Sequence, residues 1–242
     1  MKKEITLILG ILCLFHYCAT AQSYKVVYGK LVQNNDDEIR EIKDDNLRNS
    51  IISLNKSFSY VEYELIINGN KAKFQYIDKL ESPNFNKRVI SMGGGRDIYF
   101  YDNDKKIVLR ETSLDDKNYI IEKPLLNNNW NITNETNFIN NFLCFKAIAN
   151  ISVDDFRGKY NYNLIAWFCP ELPFPYGPDK YFGLPGLVFE AYEEDAKIKF
   201  FLKEINKLET STVIKFPINK SISEQEFTKI FDKLMNELVE QN

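Results

Sequence analysis

Residues with chemistry to offer are few in this chain, and they are poorly assembled. Histidine occurs once, at His16, and cysteine four times, at Cys13, Cys18, Cys144 and Cys169. Carboxylates come in runs: Asp36-Asp37, Asp44-Asp45, Asp154-Asp155 and Glu193-Glu194-Asp195. Paired carboxylates hydrolyse glycosides only at a defined separation across a cleft, and each of these runs reads as a solvated turn or charged loop. Gly93-Gly94-Gly95-Arg96 offers backbone amides to an anion. A phosphate loop, however, needs spaced glycines followed by Lys and Ser/Thr at a helix start. Here Asp97-Ile98-Tyr99 opens a strand instead, so the run reads as a loop tip. With no nucleophile elbow or metal cluster in sight, the chain is not expected to be an enzyme, nor to hold a cofactor or metal.

The first residues explain part of that scarcity. Met1-Lys2-Lys3 is a short basic start, an apolar run follows from Ile5 to Cys18, and Ala19-Thr20-Ala21 supplies the small-x-small pattern of a cleavage site. The run is short of the ~20 residues that span a bilayer. The bulky Phe15-His16-Tyr17 before Cys18 does not suit a lipoprotein signal. We therefore expect residues 1–21 to be a cleaved signal peptide and 22–242 a single exported domain, periplasmic or extracellular, with no further membrane span. Cleavage removes His16, Cys13 and Cys18, so the mature chain lacks histidine. Ser-His-Asp and Cys-His catalysis, His-ligated zinc and histidine pH switching are thereby excluded. The mature chain keeps 29 basic and 33 acidic residues with no strongly basic block, which argues against nucleic acid as a partner.

The elements that must position the rest are mostly strands. Residues 23–33 alternate β-branched and aromatic side chains and predict a first strand. Residues 34–55, polar with loosely spaced Ile and Leu, predict a short helix or two. Residues 58–67 and 71–77 predict a hairpin around Asn68-Gly69-Asn70, a turn suited to positive φ. A loop is expected over 81–96, a second hairpin from 98–101 and 106–111, and a strand over 119–122. A third hairpin, 142–151 with 159–168, turns near Arg157 and places Cys144 opposite Cys169 or Pro170. In an exported protein that pair is a disulfide candidate, contributing about 3 kcal/mol in the chain-entropy model; the alternative is two buried free thiols. Strands are expected again over 187–192, 196–205 and 213–216. The C-terminus predicts a helix with Ser223 and Glu226 as a capping box, Ile222 and Phe227 as a hydrophobic staple, and an apolar stripe through Phe227, Ile230, Phe231, Leu234, Leu238 and Val239 for the core to cover.

Between the strands lies the most unusual stretch, residues 166–192. Five of the eight prolines fall between Pro170 and Gly186, threaded with aromatics. Proline fixes φ and removes a donor, while glycine admits positive φ and close approach, so this is neither helix nor central strand. We expect an ordered connection across one end of the sheet. The segment 130–192 resembles the GLPGLI family of exported bacterial proteins. The likeness rests on Gly183-Leu184-Pro185-Gly186-Leu187-Val188, on Cys144-Phe145-Lys146-Ala147 and on Ala166-Trp167-Phe168. Pro170-Glu171-Leu172-Pro173 and Tyr176-Gly177-Pro178 extend it. Val188 stands for the usual Ile, and Cys169 for a hydroxyl residue. The resemblance implies export and carries no activity. In the motif, Leu184, Leu187 and Phe189 anchor apolar surface, and Trp167, Tyr176, Pro178, Tyr181 and Phe182 cap the sheet or line a binding surface.

The fold class expected is mainly β: a curved antiparallel sheet or half-barrel with a C-terminal amphipathic helix. Three function classes follow: a non-catalytic envelope protein binding an apolar ligand, peptide or protein partner; an accessory subunit of an outer-membrane transport or secretion system; and a hydrolase without a recognisable motif. A large unfilled apolar cavity favours a carrier, and a filled core with an exposed aromatic patch favours partner docking.

Overall fold

The computed structural model describes residues 23–33, 39–78, 88–92, 95–126, 128–210 and 212–240. The leader expected at 1–21, the Asp36-Asp37 pair and Gly93-Gly94 lie outside them. Alternation and turn chemistry yield β1 (Ser23–Val32), β2 (Glu62–Asn68), β3 (Lys71–Tyr76), β4 (Ile98–Asp102), β5 (Ile107–Leu114) and β6 (Lys117–Pro124). Then come β7 (Asn131–Ile139), β8 (Phe142–Asp155), β9 (Gly158–Cys169), β10 (Leu187–Glu193), β11 (Ile198–Leu208) and the two-residue β12 (Ile222–Ser223). Among the described residues three helices accompany them: α1 (Asp45–Phe58), α2 (Arg88–Met92) and α3 (Glu224–Glu240). The twelve strands form one sheet in the order β12-β6-β5-β4-β3-β2-β1-β11-β10-β9-β8-β7, curved like a half-barrel but not closed. Every pairing is antiparallel except that of β12 with β6.

Side chains directly opposite in a register share a face. Val26, Leu65, Phe74, Tyr99, Arg110 and Ile121 therefore form one row across six strands of the concave face. A second row runs from Lys30 through Phe200, Ala191, Ala166 and Ala147. Its three alanines are fully buried and keep that side of the concavity deep. The convex face carries a smaller cluster, Phe100, Leu109 and Ile120, covered by Ile214 and Phe216. Two tight hairpins turn on Asp115-Asp116 and Asn140-Asn141, all four at positive φ, the pattern of two-residue turns that match strand twist.

Four expectations are corrected here. Phe58 closes α1 instead of opening a strand, because Asp44 caps that helix by accepting from the Asn46 and Leu47 amides and the helix runs past Asn55. Residues 213–216 take no strand pairing; their apolar side chains serve as a cover for the convex cluster. Helix α3 has its capping box, with Ser223 N–H donating to Glu226 at 2.8 Å and the Glu226 amide to Ser223 Oγ at 3.2 Å, yet none of its residues is buried. It lies across the open side of the half-barrel instead of under the sheet. Phe227 packs on Tyr119 of β6, and Phe231 on Phe156 at the tip of the β8–β9 hairpin, whose amide donates to Asp232. Finally, Cys144 and Cys169 are free, buried thiols rather than a disulfide. The register with Phe145 opposite Phe168 does place them next in line, but the β8–β9 pairing stops at that rung, Cys144 pairing instead with Asn137 of β7 and Cys169 with Leu187 of β10. Burial pushes the Cys144 thiol up to about 12 and raises that of Cys169.

Candidate functional site

Residues 170–186 join β9 to its neighbour β10, Cys169 pairing with Leu187. The connection folds into the concavity, not across an end of the sheet as expected. Proline supplies no N–H, and buried carbonyls must find donors; Gly183 N–H donates to Pro175 O at 2.9 Å and Leu187 N–H to Leu172 O at 2.8 Å. Side chains of distant elements supply other donors. Tyr101 Oη donates to the Gly177 and Asp179 carbonyls at 2.9 and 3.2 Å. Trp130 Nε1 reaches Phe182 O at 2.9 Å and Asn128 Nδ2 reaches Lys180 O at 2.8 Å; just past the connection, in β10, Tyr28 Oη reaches Val188 O at 2.7 Å.

The aromatic residues of this connection are interior. Tyr176, Tyr181 and Phe182 are almost wholly buried, as is Pro178. Tyr176 and Phe182 pack on Tyr101, and Tyr181 on Phe200. Leu184, Leu187 and Val188 are equally buried, while Pro185 is exposed. Trp167, half-buried, lies level with Lys146 and Glu190 on the convex side of β9. The five residues proposed from the sequence as a binding surface therefore do not meet on one open face. Gly183 has φ +86°, and a Cβ there would lie 2.7 Å from Leu125 O. Gly186 is demanded by space instead: a Cβ would lie 2.3 Å from Cys169 O.

Where the filled concavity meets solvent, a cleft of about 370 Å³ remains. Its floor is Phe200, Ala191 and Ile198; its walls are Tyr181, Met92 and Ser91; its charged groups are Lys30, Asp179, Lys180, Glu193 and Lys197. Lys30 is 6% exposed, with Nζ 3.0 Å above the centre of the Phe200 ring. Burial lowers its amine to about 7, against partial opposition from Asp179 and Glu193. Asp179, at φ +50°, accepts from Tyr99 Oη. Lys180 pairs with Glu193 at 2.5 Å; burial works to lower its amine, but Asp179 and Glu193 prevail and raise it. A second cleft of about 710 Å³ lies between α2, the far ends of β4–β6 and the start of β12. Its Asp97 is raised by burial, although it accepts from Thr112 and pairs with Arg110 at 3.6 Å. Among the described residues no group of three or more His, Cys, Asp or Glu is placed to hold a metal ion, and no helix is long and apolar enough to cross a membrane.

Sequence reasoning missed Lys30, Asp179, Glu193 and Phe200 as one group. Lys30 did leave a signal: it shares the face of Val26 and Tyr28 on a strand whose other inward residues are apolar or aromatic. Glu193, read as part of a solvated run, is a strand residue paired with Lys180.

The fold is thus an open, half-barrel β sheet filled by one of its own connections. Residues 157–190 match a family described as a protein of unknown function, Porph_ging. No curated protein matches the chain. Among solved structures, PNGF-II in a C2 space group superposes with a TM-score of 0.53 at 12% identity, covering 79% of this chain and 29% of that one. PNGF-II in a P21 space group gives 0.54 at 12% identity, covering 87% and 33%. At that identity the likeness is one of fold, and this chain spans at most about a third of the solved chains.

Proposed function

We propose that this is an exported, GLPGLI-type envelope protein that binds a partner or ligand without transforming it, and does so at the rim cleft beside Lys30. The carrying observation is that residues 170–186 occupy the concavity with Tyr176, Tyr181 and Phe182. An enclosed apolar carrier site has no room there, whereas the cleft brings a ligand directly to the family-like stretch through Asp179, Lys180 and Tyr181. Its size falls within the range of small-molecule sites, and its apolar floor with a few convergent polar groups fits their usual character. The non-catalytic reading is supported by where reactive groups other than Lys30 are committed. Tyr99 and Tyr101 hold the connection, Asp155 holds Arg157 at the hairpin tip, and the thiols are buried. The basic start, apolar run and Ala19-Thr20-Ala21 support export with cleavage after Ala21 into the periplasm or beyond.

The test is native mass spectrometry of the protein recovered from the periplasm, beside Ala196→Trp, which fills the cleft from its half-exposed rim. The expected result is a mature chain beginning at Gln22 that carries a mass released on denaturation, absent from the variant. The same bound mass in both proteins would remove the cleft from the proposal, and an unprocessed cytosolic chain would remove export.

A further inference from the structure

Lys30 is the one feature of the cleft that the fold does not account for. An ammonium has three protons to donate, yet no carboxylate or carbonyl among the described residues lies within hydrogen-bonding distance of Nζ; its close neighbour is the Phe200 ring. The acidic groups that face it are committed elsewhere, Asp179 to Tyr99 and Glu193 to Lys180. A buried charge without a partner is unfavourable, and this one faces an accessible cleft. We propose, building on the cleft reading above, that the site takes the carboxylate of a small, partly apolar acid, with Lys30 as its counter-ion and Phe200, Ile198 and Tyr181 around the apolar part.

The surrounding charge selects the class. Asp179 and Glu193 face Lys30 together with Lys180, and Lys197 lies on the rim. Two carboxylates so close disfavour a phosphate dianion but tolerate a single negative charge paired with the protonated Lys30. The volume of about 370 Å³ accommodates a ring or short chain attached to that carboxylate. Because burial lowers the Lys30 amine to about 7 in the free protein, an anion that binds only the ammonium form takes up a proton above that pH. Affinity then falls about tenfold per pH unit above 7.

The test is calorimetric titration of the mature protein with 3-phenylpropionate and with its uncharged amide, from pH 6 to 8.5. Octanoate and N-acetyl-glycyl-phenylalanine separate a free-acid source from a peptide C-terminus. Wild type should bind an acid at least tenfold more tightly than the amide at pH 6.5, with affinity declining above pH 7. Lys30→Met and Lys30→Gln, with thermal melting as a check on folding, should lose both the acid preference and the pH slope, whereas Lys197→Met keeps them. Acid preference retained without Lys30, or no acid binding by folded wild type at pH 6, overturns the inference. If acid and amide bind equally and Ala196→Trp excludes both, the cleft stands and only the role of Lys30 falls. If neither probe binds and the native partner survives Ala196→Trp, the cleft reading falls with it.

Discussion

Residues 170–186 and helix α3 have opposite local and global characters. The connection has no regular secondary structure, yet its side chains fill the concavity and its carbonyls are held from β4 and the segment around Trp130. The helix is regular, amphipathic and well capped, yet no residue of it is buried, and Leu238 and Val239 are 46% and 65% exposed. Regularity tells how a segment satisfies its own backbone. It does not tell how much apolar surface the segment removes from water, which is where most stability originates. In this molecule the irregular piece is part of the core, and the regular piece is a strap over the open side.

Mutations should separate the two regions by magnitude. Gly183→Val and Gly186→Val are expected to cost about 3–5 kcal/mol each, the first through positive φ and the second through contact with Cys169 O. Chemical denaturation reads this, and unchanged midpoints in both would dissolve the contrast. Tyr101→Phe leaves the Gly177 and Asp179 carbonyls without their shared donor and should cost about 1–3 kcal/mol.

Lys30→Met acts through pH. With its folded amine lowered to about 7 and the unfolded one near 10.4, the unfolded chain holds more protons above pH 7. Lys30 therefore makes wild-type stability rise between pH 7 and 8.5, by about 1 kcal/mol per unit. Below pH 7 both states are protonated and its contribution is flat. The variant should lack this rise; above pH 9, titration of unfolded Cys and Tyr obscures it. An identical slope in the two proteins would mean that the amine is not desolvated.

On the helix, Phe231→Ala should cost only about 1 kcal/mol, because the ring is half-exposed beside Phe156. Ser223→Ala, which removes an exposed cap, should cost about 0.5–1 kcal/mol. Losses as large as those at Gly183 would mean that the strap is as integral as the core.

The chain by itself determined what depends on near neighbours. The Asn68-Gly69-Asn70 turn, the β8–β9 hairpin, the Ser223–Glu226 cap and the alternation in β1 and β2 are visible in a few residues, since their interactions close within a turn or a strand pair. The same short range explains the errors: Phe58 and residues 213–216 carry strand-forming side chains, but their neighbours in space placed them otherwise. Only tertiary structure decided which element fills the concavity. Tyr28 reaches Val188 across 160 positions and Tyr99 reaches Asp179 across 80, and no local pattern encodes such pairings. The same holds for the cleft. A lysine in an alternating strand is ordinary until the ring of Phe200 lies beneath it and the carboxylates around it are claimed by Tyr99 and Lys180. Its charge state follows from burial and from those distant groups, and both come into being only when the sheet curls around its own loop.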